Sequence, residues 1–169
     1  MKIAILGYSG SGKSTLAQKL AEVHDADALH LDAVHFLPGW KIRNDEDKRR
    51  MVKEFLDTHK SWIIDGIYSK LHYERRMAEA DKIILLLFNR FSCLKRAYGR
   101  YRKYRNTTRP DMAEGCNEKF DTEFAKWILW KGRSPESKQR YSKVISQYHD
   151  KIIVIKNQKQ LSNYIKTIG

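Results

Sequence analysis

Gly7-Tyr8-Ser9-Gly10-Ser11-Gly12-Lys13-Ser14, followed by Thr15, decides how this chain is read. The stretch fits the phosphate-loop pattern G-x-x-x-x-G-K-[ST]. Lys2-Ile3-Ala4-Ile5-Leu6 before it is a short apolar run of the kind a buried parallel strand shows. After it, Leu16, Ala17, Leu20, Ala21 and Val23 recur at helical spacing. The loop is thus expected between a strand and a helix, the setting in which the motif binds a nucleotide. Gly7, Gly10 and Gly12 allow tight bends that turn backbone N–H groups inward, with Ser9, Ser11 and Thr15 completing the cradle. The positive end of the helix faces the same hollow and suits phosphate oxygens. Lys13 is expected to reach the β and γ phosphates of ATP, and the Ser14 hydroxyl to sit on Mg²⁺.

Outward from the loop, the chain alternates strand and helix signals. Ala28–Leu31 reads as a second strand ending at Asp32. Asn44 is placed to cap a polar helix running to about His59. Ser61–Ile64 is a third strand ending at Asp65-Gly66, followed by a helix from about Ser69 to Glu79. Lys82–Phe88 is the fourth strand and Phe91–Tyr104 a strongly basic helix. Arg105–Gly115 reads as a loop, with helices over 118–131 and 135–149. Lys151–Ile155 is the fifth strand and Leu161–Ile168 a closing helix. This order predicts an α/β fold with a five-stranded parallel sheet between two helical layers. It also predicts a single domain over 1–169, an acceptor-binding insertion at about 33–60 and a lid at about 100–118. Ligands of such sheets bind at the carboxyl ends of the strands, where Asp32, Asp65 and the phosphate loop all fall.

Composition narrows the partners. Thirty-three Lys and Arg face 20 Asp and Glu, a net charge of +13 that attracts polyanions without saying which. The longest apolar run, Ile83–Phe88, is far too short for a bilayer. The sequence opens on the phosphate-loop strand, and no signal peptide is expected. Cys93 and Cys116, the only cysteines, lack metal-ligand spacing, and a reducing cytoplasm is the expected compartment. Nothing local specifies an oligomeric state.

Several side chains carry candidate chemistry. Asp65 closes an apolar strand and is expected to hold Mg²⁺ beside Ser14; as a plain structural residue it would cap the following turn. Asp32 is suited to orient an acceptor hydroxyl and accept its proton, or else to bind the N–H groups of a turn. Lys95–Pro110 holds Lys95, Arg96, Arg100, Arg102, Lys103, Arg105 and Arg109 with no acid, interleaved with Tyr98, Tyr101 and Tyr104. It reads as a solvated face, a nucleic-acid surface, or a lid whose Arg100, Arg105 and Arg109 surround a transferring phosphoryl group. Trp62, Trp127 and Trp130 are expected in the core. Trp40, after Pro38-Gly39, either walls an acceptor pocket or packs inside, and His35 is open in the same way.

The chain resembles the adenylate-kinase-like branch of the phosphate-loop kinases. More closely, it is similar to the bacterial group known as DNA topology modulation proteins. That similarity rests on Leu31-Asp32 with Pro38-Gly39-Trp40, Trp62-Ile63-Ile64-Asp65-Gly66 with Tyr68, Arg109-Pro110-Asp111-Met112, Glu114-Gly115-Cys116 and Phe124 to Trp127. The branch implies ATP and Mg²⁺ as cofactors, a helical lid, and an Arg96-x-x-x-Arg100 pair that contacts ATP. The topology modulation group implies, as an alternative, a nucleotide-switched protein that binds DNA or RNA. Asp65-Gly66 resembles the start of the adenylate kinase Asp-Gly-Phe-Pro-Arg motif, but Ile67, Tyr68 and Ser69 replace the rest. Ser69 and His35 thus stand where that family has arginines for a monophosphate acceptor. The substitution weakens the case for AMP, although Lys70, Arg75 or Arg76 could compensate, and makes an acceptor hydroxyl facing Asp32 a serious option. The expected acceptor is a nucleotide or another small molecule, with His35, Trp40, Tyr68 and Arg75 as candidate contacts.

Overall fold

The computed structural model describes residues 1–168. The elements in chain order are β1 (Lys2–Gly7), α1 (Lys13–His24), β2 (Asp27–His30), α2 (Leu31–His35), β3 (Phe36–Leu37), β4 (Lys41–Ile42), α3 (Asp45–Thr58) and β5 (Trp62–Asp65). Then come α4 (Tyr73–Glu79), β6 (Lys82–Leu86), α5 (Arg90–Lys103), α6 (Thr122–Leu129), α7 (Pro135–Gln147), β7 (Ile152–Ile155) and α8 (Gln158–Ile168). Five strands form the parallel sheet in the order β2-β5-β1-β6-β7. β1 lies at the centre, paired with β5 on one side and β6 on the other. The phosphate loop therefore leaves the sheet where its winding reverses, the crevice in which such sheets hold ligands.

Alternation along the central strands makes two cores, one on each face. Ala4 and Leu6 of β1, Trp62 and Ile64 of β5, and Ile83 and Leu85 of β6 face one helical layer with Val52, Met77 and Tyr141. Ile3 and Ile5, Ile63, and Ile84 and Leu86 face the other, with Leu16, Leu20, Ile128 and Leu161. Both faces being covered explains why these strands read as unbroken apolar runs. No helix among the described residues is long and apolar enough to cross a membrane.

Boundaries shift from expectation where caps decide them. Asn44 does cap α3, its side chain accepting from the Glu46 N–H. Asp121 caps α6 by accepting from the Phe124 N–H, so that helix starts at Thr122 instead of 118. His72, in the left-handed region, delays α4 to Tyr73. Asp32 does not end a strand: β2 stops at His30, and Asp32 lies in the first turn of α2. Residues 104–121 form an irregular loop held by isolated bridges, Arg105 to Glu118 and Thr108 to Asn117.

Trp62 is fully buried as expected. Trp127 and Trp130 correct the sequence reading, being 47% and 60% exposed. Helix α6 packs inward through Ile128, which leaves Trp127 at the margin of that face and Trp130 at the helix C-cap outside the core.

Candidate functional site

The phosphate loop is a backbone device, and Gly7, Gly10 and Gly12 all hold angles that side chains rarely adopt. Gly10 has φ 77° and approaches α5 so closely that a Cβ would lie 2.5 Å from the Cys93 carbonyl oxygen. Gly12, at φ 96°, is the N-cap of α1, and a Cβ there would meet the Arg96 guanidinium at 2.8 Å. Side chains are rarely tolerated at such angles. The Lys13 ammonium donates to the Tyr8 carbonyl oxygen at 3.0 Å and so arches back over the loop. Arg96 donates to the Ser11 carbonyl oxygen and to the Gln158 side chain, with its guanidinium 4.4 Å from the Phe88 ring centroid. Arg133, which the sequence reading passed over, lies 3.8 Å above the Tyr8 ring and donates to the Phe88 carbonyl oxygen. It ties the turn after α6 to the loop.

Beside Lys13, the Ser14 hydroxyl donates to Asp65 Oδ2 at 2.8 Å. Asp65 Oδ1 faces His30 Nδ1 at 2.7 Å. His30 and Asp65 are register partners on adjacent parallel strands, so their contact follows from the sheet. Burial opposes protonation of His30, but the hydrogen bond and charge of Asp65, aided by Asp111 and Asp32, outweigh it and raise the imidazole above its ordinary value. A hydroxyl and a carboxylate converging at the loop's end form a hard-oxygen donor set that fits Mg²⁺, with water and phosphates supplying the other ligands. Asp65 is 4% exposed and reaches that position through Ser14.

Two hollows open above this layer. The larger, about 1040 Å³, runs from the phosphate loop (Gly10, Gly12, Lys13, Ser14, Thr15) beneath Arg96, Arg100 and Arg109. The smaller, about 600 Å³, lies between α2, α3, the turn after β5 and α7. Both are lined by Ser9, Lys13, Asp32, His35, Tyr68 and Trp127, so they meet at those side chains. Tyr68 donates its hydroxyl to Asp32 Oδ1 at 2.6 Å and lies 4.9 Å from the His35 ring. Burial, the Asp32 charge and that hydrogen bond push the Tyr68 phenol well above its usual range, which fixes it as a donor. Asp32 keeps Oδ2 for another partner. Burial and the nearby Lys48 ammonium hold His35 below its ordinary value.

Trp40 is half-buried, lines the larger hollow and donates its indole N–H to the Asn117 carbonyl oxygen. Gly39 N–H donates to the Gly115 carbonyl oxygen at 3.0 Å, so the β3–β4 hairpin is clasped to the 104–121 loop.

The arginines of the basic stretch divide. Arg100 and Arg109 line the larger hollow and share one buried carboxylate, Glu118, at 3.0 and 2.5 Å; Asp111 holds Arg109 from the other side at 2.7 Å. Arg105 corrects the expectation: it is exposed and lines neither hollow, because its backbone bridges to residue 118 and its side chain lies outside the loop. Arg75 is a second correction. Asp57 and Glu79 hold its guanidinium at 2.7 and 2.6 Å on the outside of α4, away from both hollows. Glu118 escaped the sequence reading, although it is the first acid after the loop's Asp111 and Glu114 and faces two arginines from there. Glu118→Gln is expected to leave two guanidiniums against one carboxylate. Local opening of 104–121 should then become easier by about 3 kcal/mol. Amide exchange should accelerate in that segment and stay unchanged in the central strands.

Arg76, offered by the sequence as a stand-in for the absent acceptor arginine, is a third correction, since it lines neither hollow. It is fully buried and has no carboxylate partner, donating to the carbonyl oxygens of Leu71, Gly66, Ile67 and Tyr68 at 2.8–3.2 Å. Burial pushes its guanidinium down to about 10, still charged at neutral pH.

Comparison with known proteins places this geometry. No family model matches the chain. It is 30% identical to the adenylate kinase of Mesoplasma florum over 123 residues, covering 54% of this chain and 58% of that enzyme, so it matches less than two thirds of that relative's length. Shikimate kinase from Acinetobacter baumannii superposes with a TM-score of 0.60 at 14% identity, over 99% of this chain and 89% of that one. A gluconokinase from Sinorhizobium meliloti gives 0.54 at 14% identity, over 99% and 88%. The fold is a three-layer α/β fold with the phosphate loop at the end of its central strand. Its three layers and five-stranded sheet match those two neighbours along nearly all of this chain.

Proposed function

We propose that this protein is an ATP- and Mg²⁺-dependent phosphotransferase that passes the γ-phosphoryl group to a small-molecule acceptor. One observation carries the reading: a nucleotide-sized hollow over the phosphate loop and a smaller hollow beyond it meet at Lys13 and Asp32. The partial sequence likeness to an adenylate kinase and the shared fold support it.

Each residue has a task that follows from its surroundings. The loop amides and Lys13 hold the phosphates and neutralise charge that moves onto the leaving oxygen. Ser14 and Asp65 would hold Mg²⁺, which would supply further neutralisation of phosphate charge. Asp32, held by Tyr68, orients an acceptor hydroxyl and takes its proton through Oδ2. Arg100 and Arg109, aimed by Glu118, add positive charge above the transferring group. Residues of the 104–121 loop act as a lid that excludes water, which would otherwise accept the phosphoryl group. Two free and buried cysteines suit a reducing compartment, and the cytoplasm is the proposed location.

Trp127 gives a direct test. Its indole N–H faces Ser9 Oγ at 3.2 Å, and the ring lines both hollows. Addition of MgATP is expected to change Trp127 fluorescence saturably and to release ADP when an acceptor is present. EDTA should remove the ADP release. A titration with no fluorescence change in the wild type, set against a Trp127→Phe control, would sink the reading.

The resemblance to the topology modulation group sustains a second reading, nucleotide-switched binding of DNA or RNA. Arg102, Lys103 and Arg105 are exposed next to Tyr98, which is 49% exposed. Arg96, Arg100 and Arg109, however, turn inward to the loop or to Glu118, which removes three of the seven basic side chains the sequence offered for that role. Binding to duplex or single-stranded DNA that weakens steeply with salt would support this reading. No binding at physiological salt, with or without ATP, would dismiss it.

A further inference from the structure

Charge in the smaller hollow does not balance. Its walls carry Lys13, Lys48, Lys70 and Arg140 against Asp32 and Asp45. Lys13 serves the phosphate loop, where it sits on the Tyr8 carbonyl. Lys48, nearly buried, is matched by Asp45 at 2.5 Å. Asp45 also feels the Lys70 charge, but one carboxylate faces two ammonium groups there. Arg140, on α7 across the hollow from Lys70, forms no ion pair with any described residue, and neither does Lys70. The surplus positive charge therefore belongs to the smaller hollow alone, while the carboxylate of Asp32 stands where the two hollows meet.

That polarity sorts acceptors. A phosphate acting as nucleophile at the junction would face the Asp32 carboxylate, while Lys13, Arg100 and Arg109 are engaged by the transferring phosphates. A hydroxyl there meets a hydrogen-bond acceptor and proton acceptor instead. An anionic group on the same molecule would then extend to Lys70 and Arg140, and a guanidinium suits carboxylate and phosphate alike. Ile42 and Leu71 supply apolar wall, and about 600 Å³ is the size of a small-metabolite site.

We propose that the acceptor is an anionic alcohol, presenting a hydroxyl to Asp32 and a carboxylate or phosphate to Lys70 and Arg140. This rests on the phosphotransferase reading above. In the reaction the hydroxyl oxygen bonds to the γ-phosphorus and its proton passes to Asp32. The bond from that phosphorus to the β–γ bridging oxygen breaks, and ADP leaves beside a phosphate ester that keeps its original anionic group.

The test pairs small hydroxycarboxylates and sugar phosphates with uncharged alcohols of the same skeleton, and includes AMP and adenosine. ADP release is measured with MgATP. The charged members are expected to exceed their neutral partners in kcat/KM by about 10- to 100-fold, the size of one charge-assisted hydrogen bond or two. In a Lys70→Met/Arg140→Met double variant that preference should fall to within about twofold. Hydroxycarboxylates leading identify a carboxylate as the anchoring group, and sugar phosphates leading identify a phosphate. Neutral alcohols used as well as charged ones, a preference that survives the double variant, or transfer onto the phosphate of AMP would each overturn the proposal. So would turnover of no member by protein whose Trp127 responds to MgATP. Loss of the MgATP response itself would instead overturn the phosphotransferase reading beneath it.

Discussion

Lys13→Ala is expected to lower phosphoryl transfer by about 10²- to 10³-fold while the protein stays folded. The size follows from removing one preorganised positive group from the place where charge develops. Stability should barely change, because the Lys13 side chain makes one hydrogen bond, to the Tyr8 carbonyl, at a partly exposed position. A single bond of that kind contributes about 1 kcal/mol or less. The backbone of the loop does not depend on it: Gly10 is fixed by its approach to Cys93 and Gly12 by its cap role. Nucleotide binding should weaken less than turnover, since the loop amides remain. ADP release gives the first quantity, Trp127 fluorescence the second and thermal unfolding the third. Transfer at the wild-type rate would remove the phosphate loop from the chemistry.

The parts of the site that were legible in the sequence are those a backbone motif dictates. Gly7–Ser14 specifies a strand, a turn and a helix through local geometry, so its flanks followed, whereas the central place of its strand in the sheet did not. Asp65 was legible because it closes an apolar run that the sheet buries on both faces. His30 was not, although it stands two residues before Asp32: its importance comes from lateral register with Asp65, and no local pattern announces register. The same holds for Glu118, which meets Arg100 and Arg109 only once the 104–121 loop folds back. Arg75 and Arg76 show the difficulty within one helix turn. Both are arginines at adjacent positions, yet one is held outside by Asp57 and Glu79 while the other is fully buried. Trp127 was misread because amphipathic spacing marks a buried face without saying that a hollow lies at its margin.

Two arginines that the sequence offers as part of a bare positive patch belong, in the structure, to a neutralised cluster. Arg100 and Arg109 are balanced by Glu118 and Asp111, so the loop can pack without ligand. A buried carboxylate between two guanidiniums is worth less as net stability than as orientation, since desolvation offsets much of the attraction. Its value to a phosphotransferase is that the guanidiniums are aimed before the charged transition state forms.

Arg76→Ala carries the largest expected effect on stability, a loss of about 3–5 kcal/mol. The wild-type guanidinium is buried without an acid, so removing it leaves no orphaned carboxylate, and the relief of burying its charge counts in the variant's favour. Against that, the carbonyl groups of Gly66, Ile67, Tyr68 and Leu71 lose their donor in a buried setting. Each unsatisfied group costs about 1–3 kcal/mol, and the vacated volume adds a cavity cost. Four such losses outweigh one desolvation gain. Arg76→Lys should recover part of the stability, because a single ammonium cannot reach carbonyls spread along the turn as a planar fork does. The damage should also be directional. The turn from Gly66 to Leu71 carries Tyr68, which holds Asp32, whereas the phosphate loop is braced separately by Arg96 and Arg133. Folded Arg76→Lys protein should therefore keep its MgATP affinity, measured on Trp127, while losing kcat. An unchanged denaturation midpoint for Arg76→Ala, or equal loss of ATP affinity and turnover in Arg76→Lys, would show that this arginine does not organise the Asp32 side of the site.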